Sequence, residues 1–529
     1  MIDQMRGGFD HAPCVAGRAN APGFTGIGDE ELVLAGVTPG AGKAVGEDAA
    51  VEIAAEAALE IRWRRLAVRP AGEFQPGGEV RLDDAIPQRL LGTAALIVLG
   101  ARCGGCHGAW PGWVTWATCY EYVQYRIAFR ARQNSRAEQS FFYILAIIGG
   151  LITANGLASA LYMEHTGHVV TGMNNQVVWG LPHVFAIFLI VVASGVHNVA
   201  SIGSVFGKSM YKSREPLSGL LAIATLAAGL AVIMLDLGRA DRIIIAATHF
   251  NPTSVFGWNV ILYPGFFGIV GLYLWMLMEK KMYPYAKPVG LAAFIWRLLL
   301  TTGTGSIFGF LVARQAYQSA MLAPMFIIMS FAWGLAVFMV VQKTMFAWNG
   351  QPLHPLVRQR MKNLLGTFIA AVFYFVMMYH LTNLYFAKQT GFERFILVDG
   401  GIYPMLFWGG YVICGTVLPL LLIFVPQLNQ VRGSVFLAAS LVVLGAFSLL
   451  YVFIIGGQVY PLDIFPGMEV TSSFFDGKID SYAPSLPEFL LGMGGIGIAF
   501  TATAIGVRVL KFMPQDDIAK LEACGHLLD

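Results

Sequence analysis

After residue 138 the chain carries ten long apolar runs, approximately 141–163, 179–206, 217–236, 256–278, 291–312, 322–345, 364–387, 404–425, 434–456 and 486–510. A helix needs about 20 mostly apolar residues to cross roughly 30 Å of bilayer hydrocarbon, and every run is long enough. Lipid offers no partner to a bare backbone N–H or C=O, so only helices and closed barrels span it. The runs are unbroken rather than alternating in short strands, which excludes a barrel. The expectation is an all-α, polytopic membrane protein with about ten transmembrane helices.

Composition agrees. Of 529 residues, 56% are hydrophobic and 13% charged, roughly half the charged fraction of a soluble protein. That excludes a disordered chain, a nucleic-acid binder and an ordinary cytosolic enzyme, and leaves membrane lipid as the surrounding partner. The charge is uneven. Residues 1–140 hold 14 Lys+Arg and 16 Asp+Glu. Three regions follow: an extension over 1–137 to which no fold is assigned, a membrane domain over 138–512, and a tail over 513–529. Cys14, Cys103, Cys106, Cys119, Cys414 and Cys524 are scattered and suggest no disulfide framework. The first residues lack the apolar core of a signal peptide.

Lys and Arg in short loops set orientation. Arg126, Arg130, Arg132 and Arg136 precede run 1; Lys208, Lys212 and Arg214 follow run 2; Lys280, Lys281 and Lys287 follow run 4; Lys343, Arg358, Arg360 and Lys362 follow run 6. The alternate loops are poorer, with Arg239 and Arg242, Arg314, Lys388 and Arg394, and Lys478. Both termini are therefore expected in the cytoplasm of a bacterial inner membrane. The outer loops include a His/Asn-rich 164–178 and a long acidic 457–487 with Asp463, Glu469, Asp476 and Asp480.

Two motifs in the extension resemble known chemistry and fail. Cys103-Gly-Gly-Cys106-His107 fits a haem c attachment pattern, but the charge rule places it inside, so it is read as accidental. The stretch Gly36–Ala44 resembles a phosphate loop but ends in Ala44, where a Ser or Thr would hold magnesium.

Ionisable residues within spans cost a few kcal/mol and are functional candidates. On run 2, His183, Ile187, Ile190, Ser194 and His197 share one helical face, with Asn198 adjoining. At about 1.5 Å per residue the two histidines lie roughly 21 Å apart, His183 near the outer surface and His197 near the inner. Run 3 ends at Asp236, which reaches the level of His183. A His and a carboxylate beside Trp179 suit a quinone, whose reduction takes two electrons and two protons. The alternative is that Asp236 pairs with Arg239 or Arg242 at the interface, and the residues alone leave both open. Arg297 on run 5 is expected to snorkel to the inner surface, and His380 on run 7 suits either an interhelical hydrogen bond or a proton relay.

Together, YMEHTGHVVTGMNNQVVWGLPH over 162–183, LDLGR over 235–239 and the Thr248–Asn259 stretch resemble the NrfD/PsrC family of polysulfide reductase-type membrane subunits, in particular its DsrP branch, the membrane subunit of the sulfite-reductase-associated Dsr complex. The resemblance covers roughly 138–512. It implies two four-helix bundles, runs 2–5 and 6–9, flanked by runs 1 and 10. It implies a quinone, menaquinone or ubiquinone, near the outer face of the first bundle, no haem of its own, and electron exchange with a periplasmic ferredoxin-like iron–sulfur subunit among further members of a complex. Carried over residue by residue, His183 and Asp236 are the quinone-site and proton-relay candidates, with Trp179, Arg239 and Trp258 shaping the site; His197, from its place on the face of run 2 alone, is a candidate for moving protons along that helix. The alternatives are a secondary transporter, for which run 6 (Pro324, Ser330, Gly334) faintly echoes run 2 (Pro182, Ser194, Gly195), and a passive membrane anchor.

Overall fold

The computed structural model describes residues 138–279, 281–348, 353–431, 433–462, 478–510 and 512–514. The extension with its two failed motifs, Lys280, most of the acidic 457–487 loop and most of the tail lie outside the described residues. Among the described residues ten helices are long and apolar enough to cross a membrane. They are α1 (Glu138–Thr166), α2 (Leu181–Ser204), α3 (Glu215–Asp236), α4 (Val255–Met278), α5 (Ala286–Gly309), α6 (Leu322–Trp348), α7 (Pro355–Tyr385), α8 (Ile402–Phe424), α9 (Ser434–Val459) and α10 (Leu486–Leu510). The chain is an all-helical, multi-pass membrane protein.

The ends follow local chemistry. Pro182 sits in the first turn of α2, where its missing N–H costs nothing. Gly167 (φ 86°, ψ 161°) takes a positive-φ extended conformation, open to glycine, where α1 stops. Helix α7 begins at Pro355, about two turns before the apolar run at 364, because Arg358, Arg360 and Lys362 are helical residues rather than loop. Helix α5 likewise starts before its run, at Ala286, and stops at Gly309.

Helices α2–α5 pack around one another, as do α6–α9, and α1 pairs with α10, which lies against α2 and α3. Small residues set the crossings, as expected where lipid supplies no hydrophobic drive. Gly156 meets Gly494 between α1 and α10, and Gly415 meets Gly445 between α8 and α9. Gly195 of α2 lies directly on the backbone of Ser330 and Gly334 of α6, so a Cβ there would strike main-chain atoms. The faint echo between runs 2 and 6 thus marks the residues through which the two bundles touch. Helix α2 is the centre of the molecule: 94% of its apolar window is buried, against 22% for α1. The second bundle differs in containing π-helical backbone at Phe395–Asp399, Met405–Val417 and Val452–Gly456.

Candidate functional site

The loops joining α1–α2, α3–α4, α5–α6, α7–α8 and α9–α10 gather at one end, the loop 1–2 end. There the first turn of α2 meets the last residue of α3. His183 Nδ1 lies 3.0 Å from Asp236 Oδ2, with 1% of the Asp236 side chain exposed and 19% of that of His183. The approach is off the line a hydrogen bond requires, and neither carboxylate oxygen of Asp236 has a hydrogen-bond donor. A buried acceptor left unpaired is costly, so the pair is open to a further partner.

The alternative pairing of Asp236 does not form. The chain leaves the helix at Leu237 in extended conformation. Arg239 turns to Asp241 at 3.1 Å, with 64% of its side chain exposed. The guanidinium holds the Asp241 carboxyl below its usual range by hydrogen bonding. Arg239 is therefore not brought together with His183 and Asp236.

Trp179 forms the wall. Its ring lies 6.3 Å from the His183 ring at 27°, and Phe308, Phe256 and Tyr317 surround it at 5.6, 6.4 and 6.4 Å. Trp258 sits further out, its indole donating to Pro252 O and its ring 6.3 Å from Phe310. Phe256 is half exposed, while Phe308 and Tyr317 are buried, so the aromatic wall runs from the core to the surface.

Residues far along the chain hold this wall in place, and these the sequence reading missed. Gln458, near the end of α9, accepts from the Val178 and Trp179 N–H groups and donates to Trp179 O, at 2.9–3.0 Å. Arg314 donates to the Gln458 and Gln176 carbonyls, and burial pulls its guanidinium below its usual range. Glu488, fully buried in the first turn of α10, accepts from Tyr482 Oη, Gly172 N and Ser485 N. Tyr482 Oη in turn accepts from Leu181 N. The one signal in the sequence was a carboxylate opening an otherwise apolar run.

Deeper in the bundle, Ser194 donates to Arg297 O and accepts from Thr301. Arg297 does not snorkel. It lies eleven residues into α5, about 16 Å from the helix start, beyond the reach of its side chain to either surface. Its guanidinium donates to Asn198 Oδ1 at 2.9 Å and stacks on Phe294 and Phe331. No ion pair is made by Arg297 among the described residues, and its Nε and Nη1 lack acceptors. His197 is wholly buried between Phe266 and Tyr273, with neither ring nitrogen hydrogen-bonded. His183 and His197 thus lie on the α2 face toward α3–α5, with Ile187, Ile190 and Ser194 between them. Among the described residues no group of three His, Cys, Asp or Glu side chains is gathered as a metal set.

The polysulphide reductase NrfD family model matches residues 169–461, which is more than half of the chain and spans both bundles. The chain belongs to the NrfD family. It is 27% identical over 379 residues to the Hdr-like menaquinol oxidoreductase integral membrane subunit of Archaeoglobus fulgidus, covering 71% of this chain and 94% of that one. It is 21% identical over 418 residues to a selenate reductase subunit of Mesobacillus selenatarsenatis, covering 72% and 95%. It is 24% identical over 399 residues to a putative dimethyl sulfoxide reductase membrane subunit of Halobacterium salinarum, covering 68% and 89%. Each relative is matched over nearly its whole length.

Proposed function

We propose that this NrfD-family chain is the quinone-interacting membrane subunit of a respiratory oxidoreductase complex. It exchanges electrons between the membrane quinone pool and a partner iron–sulfur subunit docked at the loop 1–2 end. The observation that carries this reading is the bare Asp236 carboxylate beside His183 under the Trp179 wall. The residues fit a quinone head group: a donor–acceptor pair for its oxygens, a flat ring to lie against, and an apolar flank open to lipid. When bound, a quinone supplies a two-electron, two-proton couple. Asp236 accepts or returns a proton at its free carboxylate oxygens, and His183 does so at Nδ1, the atom facing that carboxylate. Gln458 keeps Trp179 at a fixed height, so the pair meets its ligand in one geometry.

The relatives' names, menaquinol oxidoreductase and reductase membrane subunits, support menaquinone over ubiquinone and a multi-subunit assembly. Sulfur metabolism rests on the resemblance of residues 162–183. Lys208, Lys212, Lys281 and Lys287 crowd the end opposite the candidate site, which supports a bacterial inner membrane with cytoplasmic termini and an external site. The unpartnered nitrogens of His197 and Arg297 call for buried waters. Such waters would extend the proton route along α2 toward the other side.

The test is purification with the neighbouring subunits, followed by lipid extraction. Co-purifying quinone, lost in His183→Ala and Asp236→Asn, is the expected result. A wild-type complex that is free of quinone and oxidises quinol no faster than either variant would sink the reading.

A further inference from the structure

A second His–carboxylate pair lies in the other bundle, at the same end. His380, near the end of α7, places Nδ1 2.6 Å from Glu393 Oε2, and Asn383 Nδ2 donates to Glu393 Oε1 at 2.7 Å. Glu393 is wholly buried, with only 10% of the His380 side chain exposed. Its position on the short helix Thr390–Arg394 folds it back under the α7–α8 connection.

Beside the pair is a cavity of about 20 Å³, walled by Met325, Phe326, Met329 and Phe453 and reached by His380 and Tyr379. That is room for a single water, with His380 and Tyr379 the polar side chains in its lining. Phe392 and Ile396 close the cavity on one side. The residues between and beside them, Gly391, Arg394, Phe395 and Asp399, line a cleft of about 520 Å³ that also includes Asp480 and Tyr482. One helical thickness therefore separates the buried pair from the cleft. Part of that wall is π-helical, with Gly400 N bonded to Phe395 O and Arg394 bridged to Asp399 at 2.6 Å. Such turns are rare and occur most often at functional sites.

We propose that His380 and Glu393 form a buried proton-binding site, distinct from His183 and Asp236, that exchanges its proton with water through the 390–399 wall and the Arg394–Asp399–Asp480 cleft. The balance is simple. Neutral imidazole and carboxylate together carry one negative charge; one proton from the cleft, held between Nδ1 and Oε2, makes the pair neutral. Its return to the cleft restores the negative charge, which Asn383 Nδ2 and the Nδ1–H of the neutral imidazole then solvate. Other titratable groups on the surrounding elements are Tyr379 on α7, Tyr317 between α5 and α6, Arg394 and Asp399 on the wall, Tyr403, Tyr411 and Cys414 on α8, and Tyr451 on α9. Helix α6 contributes only Met325, Phe326 and Met329 to the cavity.

This site does not depend on the quinone reading. The experiment is infrared difference spectroscopy of the purified complex across a pH step, in H₂O and D₂O, with protons counted by an indicator dye. The expected result is a protonated-carboxyl band that Glu393→Gln removes and Asp236→Asn keeps, with the proton count falling by about one per chain. Arg394→Ala, on the cleft side, should alter the H–D exchange rate of that band several-fold without removing it. A folded Glu393→Gln complex with the wild-type band and count overturns the site, and an unchanged exchange rate in Arg394→Ala overturns the route. If Glu393→Gln does not fold, His380→Gln must shift the same band, and an unshifted band overturns the proposal equally.

Discussion

The two bundles each bring a histidine and a carboxylate together at the same end, yet the pairs are in opposite states. In the first, both Asp236 oxygens lack donors and the neighbouring aromatics run from the buried Phe308 and Tyr317 out to the exposed Phe256. In the second, His380 and Asn383 engage both Glu393 oxygens, and the adjoining space admits no more than a water. The residue types alone do not distinguish these sites. What distinguishes them is whether the protein itself satisfies the carboxylate: Asp236 is left bare, and Glu393 is saturated.

The largest effect should come from separating the bundles. Gly195→Leu drives a side chain into the α6 backbone, where nothing flexible can yield, and overpacking of this kind costs about 1–3 kcal/mol or more. We expect no assembled complex on size-exclusion chromatography, whereas Gly150→Ala, with open space around it, should assemble normally. A well-assembled Gly195→Leu complex would mean that the two sites do not need a common scaffold.

Next comes the carboxylate swap. Asp236→Asn should lower quinol oxidation by about 100-fold or more, the usual size of a lost proton-transfer group, while Glu393→Gln stays within about twofold. Equal losses would erase the distinction between a ligand site and a proton store. Gln458→Leu removes the clamp on Trp179 and leaves buried backbone groups bare, at about 1–3 kcal/mol. Roughly tenfold slower turnover, with His183 and Asp236 intact, is the expected reading. A wild-type rate would show that the wall needs no fixed height. The smallest effect belongs to Arg239→Ala. Its partner is the exposed Asp241 rather than Asp236, so neither turnover nor melting temperature should change.

The helices were legible because lipid leaves few ways to fold a long apolar run. Helix α7 shows the limit, since Arg358, Arg360 and Lys362 conceal its first two turns from any hydropathy reading. His183 and Asp236 were legible because both close a span at the same depth. The supports were not, because Gln458 lies 279 residues from the Trp179 it clamps and nothing local in either segment announces the other. Arg297 misled for a related reason: only its partners Asn198, Phe294 and Phe331 explain a cation held at mid-helix. The π-helical backbone of the second bundle has no signature in the residues we can name.

The burial of α2 also bears on how the protein is made. Helix α2 is synthesised second, yet helices α5 and α6, which carry Arg297, Thr301, Ser330 and Gly334, emerge only later. Until then Ser194 and Asn198 lack their α5 partners Thr301 and Arg297, and His197 has only the aromatic rings of α4 beside it. A nascent chain halted after α4 would therefore hold its most polar stripe against lipid or against the insertion machinery. Release of α2 into the bilayer would then be timed by the arrival of α5, making the central helix among the last to settle.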